Sequence, residues 1–78
     1  MNFGTALQGM KEGLNVTRSG WNGVGLWLTL QVPDAHSKMT LPYIYMSYPE
    51  NAKNTPGARV PWLASQTDLL AEDWMFVT

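Results

Sequence analysis

Apolar side chains at Phe3, Ala6, Leu7 and Met10 recur at the spacing of one helix face. Asn2 is placed to cap the start of that helix. Gly13 is placed to take the left-handed position that closes it. Gly4 and Gly9 each weaken it by about 1 kcal/mol relative to alanine, so the helix depends on packing. The period then changes to two. Residues 14–18 alternate apolar and polar and predict a strand. Ser19-Gly20-Trp21-Asn22-Gly23 predicts a turn. Residues 25–32 are the clearest strand: Leu26, Leu28, Leu30 and Val32 face one way, and Trp27, Thr29 and Gln31 the other. Pro33 and Asp34 stop it, and the two strands form a hairpin. Residues 41–48 predict a third strand, with Tyr43, Tyr45 and Ser47 on one face and Ile44, Met46 and Tyr48 on the other. Both faces carry large side chains, so both are expected to be covered, one of them by another subunit.

Polar loops are expected over residues 35–40 and 49–57. Residues 59–63 predict a short edge strand limited by Pro61. Ser65 and Thr67 are cap candidates for a helix of one or two turns running through residues 70–72. Residues 74–77 predict a closing strand. The expected fold is α+β: a small antiparallel sheet of four to five strands with an N-terminal helix and a short C-terminal helix. It forms a single domain over residues 1–78.

Composition narrows what such a fold does. A domain of 78 residues buries only about 60% of the surface its unfolded chain exposes. Small domains of this kind usually need a staple. With no cysteine and one histidine, disulfides, thiolate metal sites and a His-based zinc cluster are excluded. Self-association is the staple that is left, and a charged fraction of only 14% is consistent with it. The net charge of −1 argues against long nucleic acid, which demands a basic face. A small nucleotide remains admissible, because a few backbone N–H groups and one Arg suffice for its phosphates. No signal peptide and no apolar run near the ~20 residues of a membrane span is visible. The chain therefore reads as a complete cytosolic product with no membrane partner.

Candidate chemistry is sparse on the catalytic side. His36 is the sole histidine and lies in a loop, without the base and orienting group a nucleophile needs. Asp68, Glu72 and Asp73 offer a metal-dependent phosphodiesterase, but Asp68 reads better as a first-turn helix carboxylate and Asp73 as a brace for the last strand. The glycines of residues 20–25 do not form a phosphate-binding fingerprint. No enzyme, cofactor or metal is expected. The four tryptophans point to binding instead. Trp21 sits at a glycine-rich turn where a large apolar ring is unexpected unless something covers it. Trp74 reads more as core. An indole face stacks on a base for about 1–3 kcal/mol, and Arg18 beside the turn has the fork for a phosphate or carboxylate.

Three stretches carry a resemblance: Asn2-Phe3-Gly4-x-Ala6-Leu7 with Lys11-Glu12-Gly13; Val16-x-Arg18-x-Gly20-Trp21-Asn22-Gly23; and Pro61-Trp62-x-Ala64-Ser65-Gln66-Thr67-Asp68-Leu69-Leu70-Ala71-Glu72-Asp73-Trp74. The chain resembles the second Thoeris anti-defence protein family, small proteins of phages and bacteria. That resemblance implies a homotetramer acting as a sponge in the cytoplasm of an infected bacterial host. It holds, without degrading them, cyclic nucleotide immune signals such as glycocyclic ADP-ribose from TIR-domain enzymes. Some members also hold cyclic dinucleotides of the cGAS-like (CBASS) pathway. The ligand-binding candidates are Trp21, Asn22, Arg18, Trp74 and Asp73, with Thr5, Trp27 and Tyr45 behind them. Trp21 and Trp74 are expected to stack on bases, Arg18 and turn amides to take phosphates, and Asp73 and Asn22 to contact base or ribose edges. The alternative reading is a protein–protein module that inhibits a host defence protein.

Overall fold

The computed structural model describes residues 1–21 and 25–77. The elements in chain order are α1 (Phe3–Lys11), β1 (Asn15–Arg18), β2 (Trp27–Gln31), β3 (Tyr43–Ser47), β4 (Arg59–Pro61), α2 (Gln66–Leu69) and β5 (Trp74–Val77). Among the described residues the strands form one five-stranded sheet in the order β4-β3-β2-β1-β5, with every neighbouring pair antiparallel. The α+β architecture expected from the sequence is the one observed.

Local chemistry fixes both ends of α1. The Asn2 side chain accepts a hydrogen bond from the Thr5 N–H at 2.8 Å, which satisfies a first-turn donor without an intrahelical partner. At the other end Gly13 adopts a φ of 93°. Its N–H donates to the Met10 carbonyl and that of Leu14 to the Gly9 carbonyl, both at 3.0 Å. These two bonds are the paired closure of a Schellman motif, which glycine makes without a Cβ penalty. Pro61 is tolerated because β4 lies at the sheet edge, opposite Tyr45 of β3.

Register decides which side chains share a face. Val16 opposes both Leu28 and Phe76, and Leu28 opposes Met46, which in turn opposes Val60. Residues directly opposite across a ladder point the same way. That face receives α1, and the core forms between them from Ala6, Met10, Val16, Leu28 and Trp74. Phe3, Leu7, Trp21, Leu30, Ile44, Met46 and Trp62 pack around it. Trp27, Thr29, Gln31, Tyr43 and Tyr45 take the opposite face.

Within one chain only the Ile44 and Met46 side of β3 joins the packed core. Tyr43, on the other side, is 39% exposed. One expectation needs adjustment: the second helix is shorter than expected. It closes at Leu70, whose N–H bonds to the Gln66 carbonyl at 3.0 Å. The chain must turn there so that Trp74 can enter β5 opposite Arg18.

Candidate functional site

The candidate site lies at the β1–β5 end of the sheet. Because Arg18 opposes Trp74 in the ladder, Asp73 falls beside the turn that leaves β1. The Ser19 N–H donates to the Asp73 carbonyl at 3.2 Å. The Gly20 N–H donates to Asp73 Oδ2 at 2.7 Å. Glycine at position 20 leaves room for this approach, since a Cβ there would lie 2.6 Å from the same oxygen and the carboxylate would have to shift. Asp68 arrives from the first turn of α2, whose start is held by the Ser65 hydroxyl accepting the Asp68 N–H at 3.0 Å.

Arg18 joins the two carboxylates. Its Nε donates to Asp73 Oδ1 and its Nη1 to Asp68 Oδ1, both at 2.7 Å, and its Nη2 reaches Asp73 Oδ2 at 3.5 Å. The indole N–H of Trp21 donates to the same Asp68 Oδ1 at 3.0 Å. The indole N–H of Trp74 donates to the Asp68 backbone carbonyl at 2.9 Å. One residue, Asp68, therefore anchors two tryptophans and an arginine. Burial pushes the Asp68 carboxyl up, but hydrogen bonds from Trp21, Arg18 and Ser65 outweigh it and leave its pKa below the ordinary carboxylate value. The Arg18 hydrogen bonds, followed by the Gly20 N–H, hold Asp73 below it as well, against an opposing desolvation effect. The two carboxylates in turn raise the Arg18 pKa.

Behind this network stands an aromatic cluster. Trp21 meets Trp74 edge to face, with ring centroids 5.3 Å apart and planes at 80°. Trp62 meets Trp74 in the same manner at 6.1 Å, and Phe3 lies 5.2 Å from Trp74. Trp74 is 2% exposed and sits in the core, as its neighbours require. A base stacking on its face has no access to it. Trp21 is only half-buried and keeps surface for a ligand.

The sequence candidates thus separate into groups. Arg18, Trp21, Asp73 and Trp74 come together. Trp27 and Tyr45 are half-buried on the opposite face of the sheet. Thr5 is exposed on the first turn of α1 and enters the structure through its backbone N–H on Asn2. Asn22 lies outside the described residues. Arg18, expected at a phosphate, has all three nitrogens directed at Asp68 and Asp73. Sequence reasoning placed Asp68 correctly in the first helical turn but missed it as the hub, along with Trp62 and Phe3. The Ser65-x-x-Asp68 spacing locates the cap but carries no hint of a partner at position 18 or 21. Among the described residues no three His, Cys, Asp or Glu side chains converge to hold a metal ion. Among the described residues, too, no helix is long and apolar enough to cross a membrane.

A separate open groove of about 830 Å³ runs along β3 and β4, lined among others by Gln31, Leu41, Tyr43, Tyr45, Arg59 and Trp62. It is largely apolar, with Arg59 as a cationic rim.

Comparison with known proteins gives a consistent result over the whole fold. The family described as the Thoeris anti-defense 2-like (Tad2-like) domain matches residues 1–77. The chain is also 40% identical over 88 aligned residues to the protein Thoeris anti-defense 2 of Bacillus phage SP01. That alignment covers 100% of this chain and 96% of the phage protein.

Proposed function

The chain belongs to the Thoeris anti-defense 2-like family, which gives it a phage anti-defence role, and we propose that it exerts this role by sequestering a nucleotide immune signal without degrading it. The observation that carries this reading is Trp21. Its indole is anchored at the edge by Asp68 and backed by Trp74, so one ring is held in place while half-buried beside a glycine-containing turn. An aromatic platform fixed before the ligand arrives loses little conformational entropy on binding. A base stacked on it contributes about 1–3 kcal/mol. The ligand class is a cyclic ADP-ribose isomer, with glycocyclic ADP-ribose first, and cyclic dinucleotides second. Asp73 contacts hydroxyl or amino edges. Neighbouring copies of the chain complete the site in a homotetramer, in the cytoplasm of the infected host.

A sponge works by mass action. A signal present at micromolar concentration must be held with nanomolar affinity, about −12 kcal/mol, to stay below a receptor's threshold. The test is recovery. Glycocyclic ADP-ribose incubated with equimolar protein should disappear from a filtrate and return chemically intact after heat denaturation. Ligand that stays free, or returns cleaved, would refute sequestration.

The second reading, a module that blocks a host defence protein, draws on the exposed apolar side chains of Leu41, Leu63 and Leu70. It predicts a stoichiometric complex with a purified defence protein and no shift in melting with any nucleotide.

A further inference from the structure

Resting on the sequestration reading, we propose that Arg18 is a positioning residue that fixes the plane of Trp21 through Asp68, and is not the receptor for the ligand's phosphate. Three observations carry this. The first is occupancy. Nε, Nη1 and Nη2 of Arg18 all point at the carboxylates of Asp68 and Asp73, two of them at 2.7 Å. The neighbouring Gly20 N–H is taken by Asp73 at 2.7 Å. Every nitrogen of Arg18 and the N–H groups of Ser19, Gly20 and Trp21 are thus engaged from within the chain, which leaves two of the five guanidinium N–H groups.

The second is charge. One guanidinium and two carboxylates leave the cluster with a net charge of −1. Both carboxylates are held in their ionised form by the hydrogen bonds they accept. A phosphate brought to Arg18 shares the guanidinium with two carboxylates and meets both at close range. Like charges brought together in this way repel.

The third is geometry. Arg18 Nη1 and Trp21 Nε1 converge on a single oxygen, Asp68 Oδ1, at 2.7 and 3.0 Å. Besides the turn bond from the Trp21 N–H to the Arg18 carbonyl at 3.2 Å, Asp68 is what joins the two side chains among the described residues, and its own side chain is 16% exposed. Arg18 holds the carboxylate in place, and the carboxylate holds the indole. The bidentate fork of arginine suits this task because it spans two carboxylates at fixed angles, which a lysine ammonium does not. Trp21 is then set at 80° to Trp74.

The two roles predict opposite signs for one substitution. Removing the negative charge at Asp68 frees an Arg18 nitrogen and weakens anion repulsion. If Arg18 receives a phosphate, Asp68→Asn binds an anionic nucleotide as tightly as wild type or more tightly. If Arg18 and Asp68 position Trp21, Asp68→Asn binds at least tenfold more weakly, and Arg18→Lys does the same despite keeping its charge. The experiment measures binding of glycocyclic ADP-ribose to the full chain by calorimetry at two salt concentrations. Near-UV circular dichroism follows the coupled Trp21–Trp74 pair. The positioning role predicts a changed indole signal in Asp68→Asn with an unchanged salt dependence. Tighter binding, or a salt dependence that collapses in Arg18→Lys, overturns it. Should Asp68→Asn fail to fold, Arg18→Lys carries the test, because it keeps the positive charge and removes the fork that holds Asp68. A tenfold loss with an altered indole signal and an unchanged salt dependence supports the proposal, and unchanged affinity overturns it. Wild-type protein that binds neither glycocyclic ADP-ribose nor a cyclic dinucleotide refutes sequestration itself. A wild type that binds while Asp68→Asn binds equally well refutes only the positioning role.

Discussion

Two glycines in the same helix should respond to alanine with opposite signs. In a helix interior, alanine is favoured over glycine by about 1 kcal/mol. At Gly4 an added Cβ meets only Asn2 Oδ1 at 3.4 Å, an ordinary contact. Gly4→Ala should therefore stabilise by roughly 0.5–1 kcal/mol. At Gly9 the same atom would lie 2.1 Å from Phe76 Cε1 and 2.6 Å from Phe76 Cζ. Comfortable carbon contacts begin near 3.5 Å, so the ring must retreat by roughly 1.5 Å. Phe76 is 37% exposed and lies on β5 at the sheet edge, so it has somewhere to go. Going there uncovers ring surface. Exposing roughly 60 Å² of apolar area costs about 1.5 kcal/mol, and residual overpacking adds about 1 kcal/mol more. Against a propensity gain of about 1 kcal/mol, Gly9→Ala should destabilise by about 1–2 kcal/mol. For a domain of this size that lowers Tm by roughly 5–15 °C. Urea and thermal melts at one fixed protein concentration measure it, since the proposed self-association would make Tm concentration-dependent. Repeating Gly9→Ala in a Phe76→Ala background isolates the clash, and there it should stabilise by about 1 kcal/mol. A Gly9→Ala protein that melts above wild type, alongside Gly4→Ala, would show that Phe76 does not depend on the missing methyl.

Leu28 is fully buried at the centre of the sheet, and Leu28→Ala should cost about 3 kcal/mol, read as a fall in the urea midpoint with the slope unchanged. Ser65→Ala removes the cap of α2 and should cost about 1 kcal/mol, with a secondary weakening of the Trp21 circular dichroism signal because Asp68 loses its anchor. Asp68 and Asp73 both have folded pKa values below the unfolded one, so the folded state binds fewer protons in that interval and stability rises with pH. Their contribution is complete above the unfolded carboxylate value of about 3.9 and is lost as pH falls through the lower folded values. Tm should be flat from about pH 7 to pH 5 and drop below about pH 4. Asp34, depressed by the His36 N–H and the Ser37 hydroxyl, acts with the same sign, so an Asp34→Asn control is run beside Asp68→Asn. A melting profile for Asp68→Asn that falls as steeply as wild type would refute the role of the network in acid sensitivity.

What the sequence determined by itself was local. The helical stripe of Phe3, Ala6, Leu7 and Met10, the Asn2 cap and the Gly13 stop fix α1, because capping and periodicity act over a few residues. Alternation in residues 25–32 already separated Leu28 from Trp27, and the period-two rule carried that separation into the fold. The family motifs around Trp21 and Asp73 named residues that the fold brings together at one end of the sheet. Only the tertiary structure placed β5 beside β1 and so brought Asp73 and Asp68 to Arg18, across 55 and 50 residues of chain. No local pattern records such a pairing, because it results from sheet order and loop closure. The same long-range decision turned Trp74 into a core wall behind Trp21 and directed the Arg18 fork inward, where two carboxylates compete for the donors a phosphate would need.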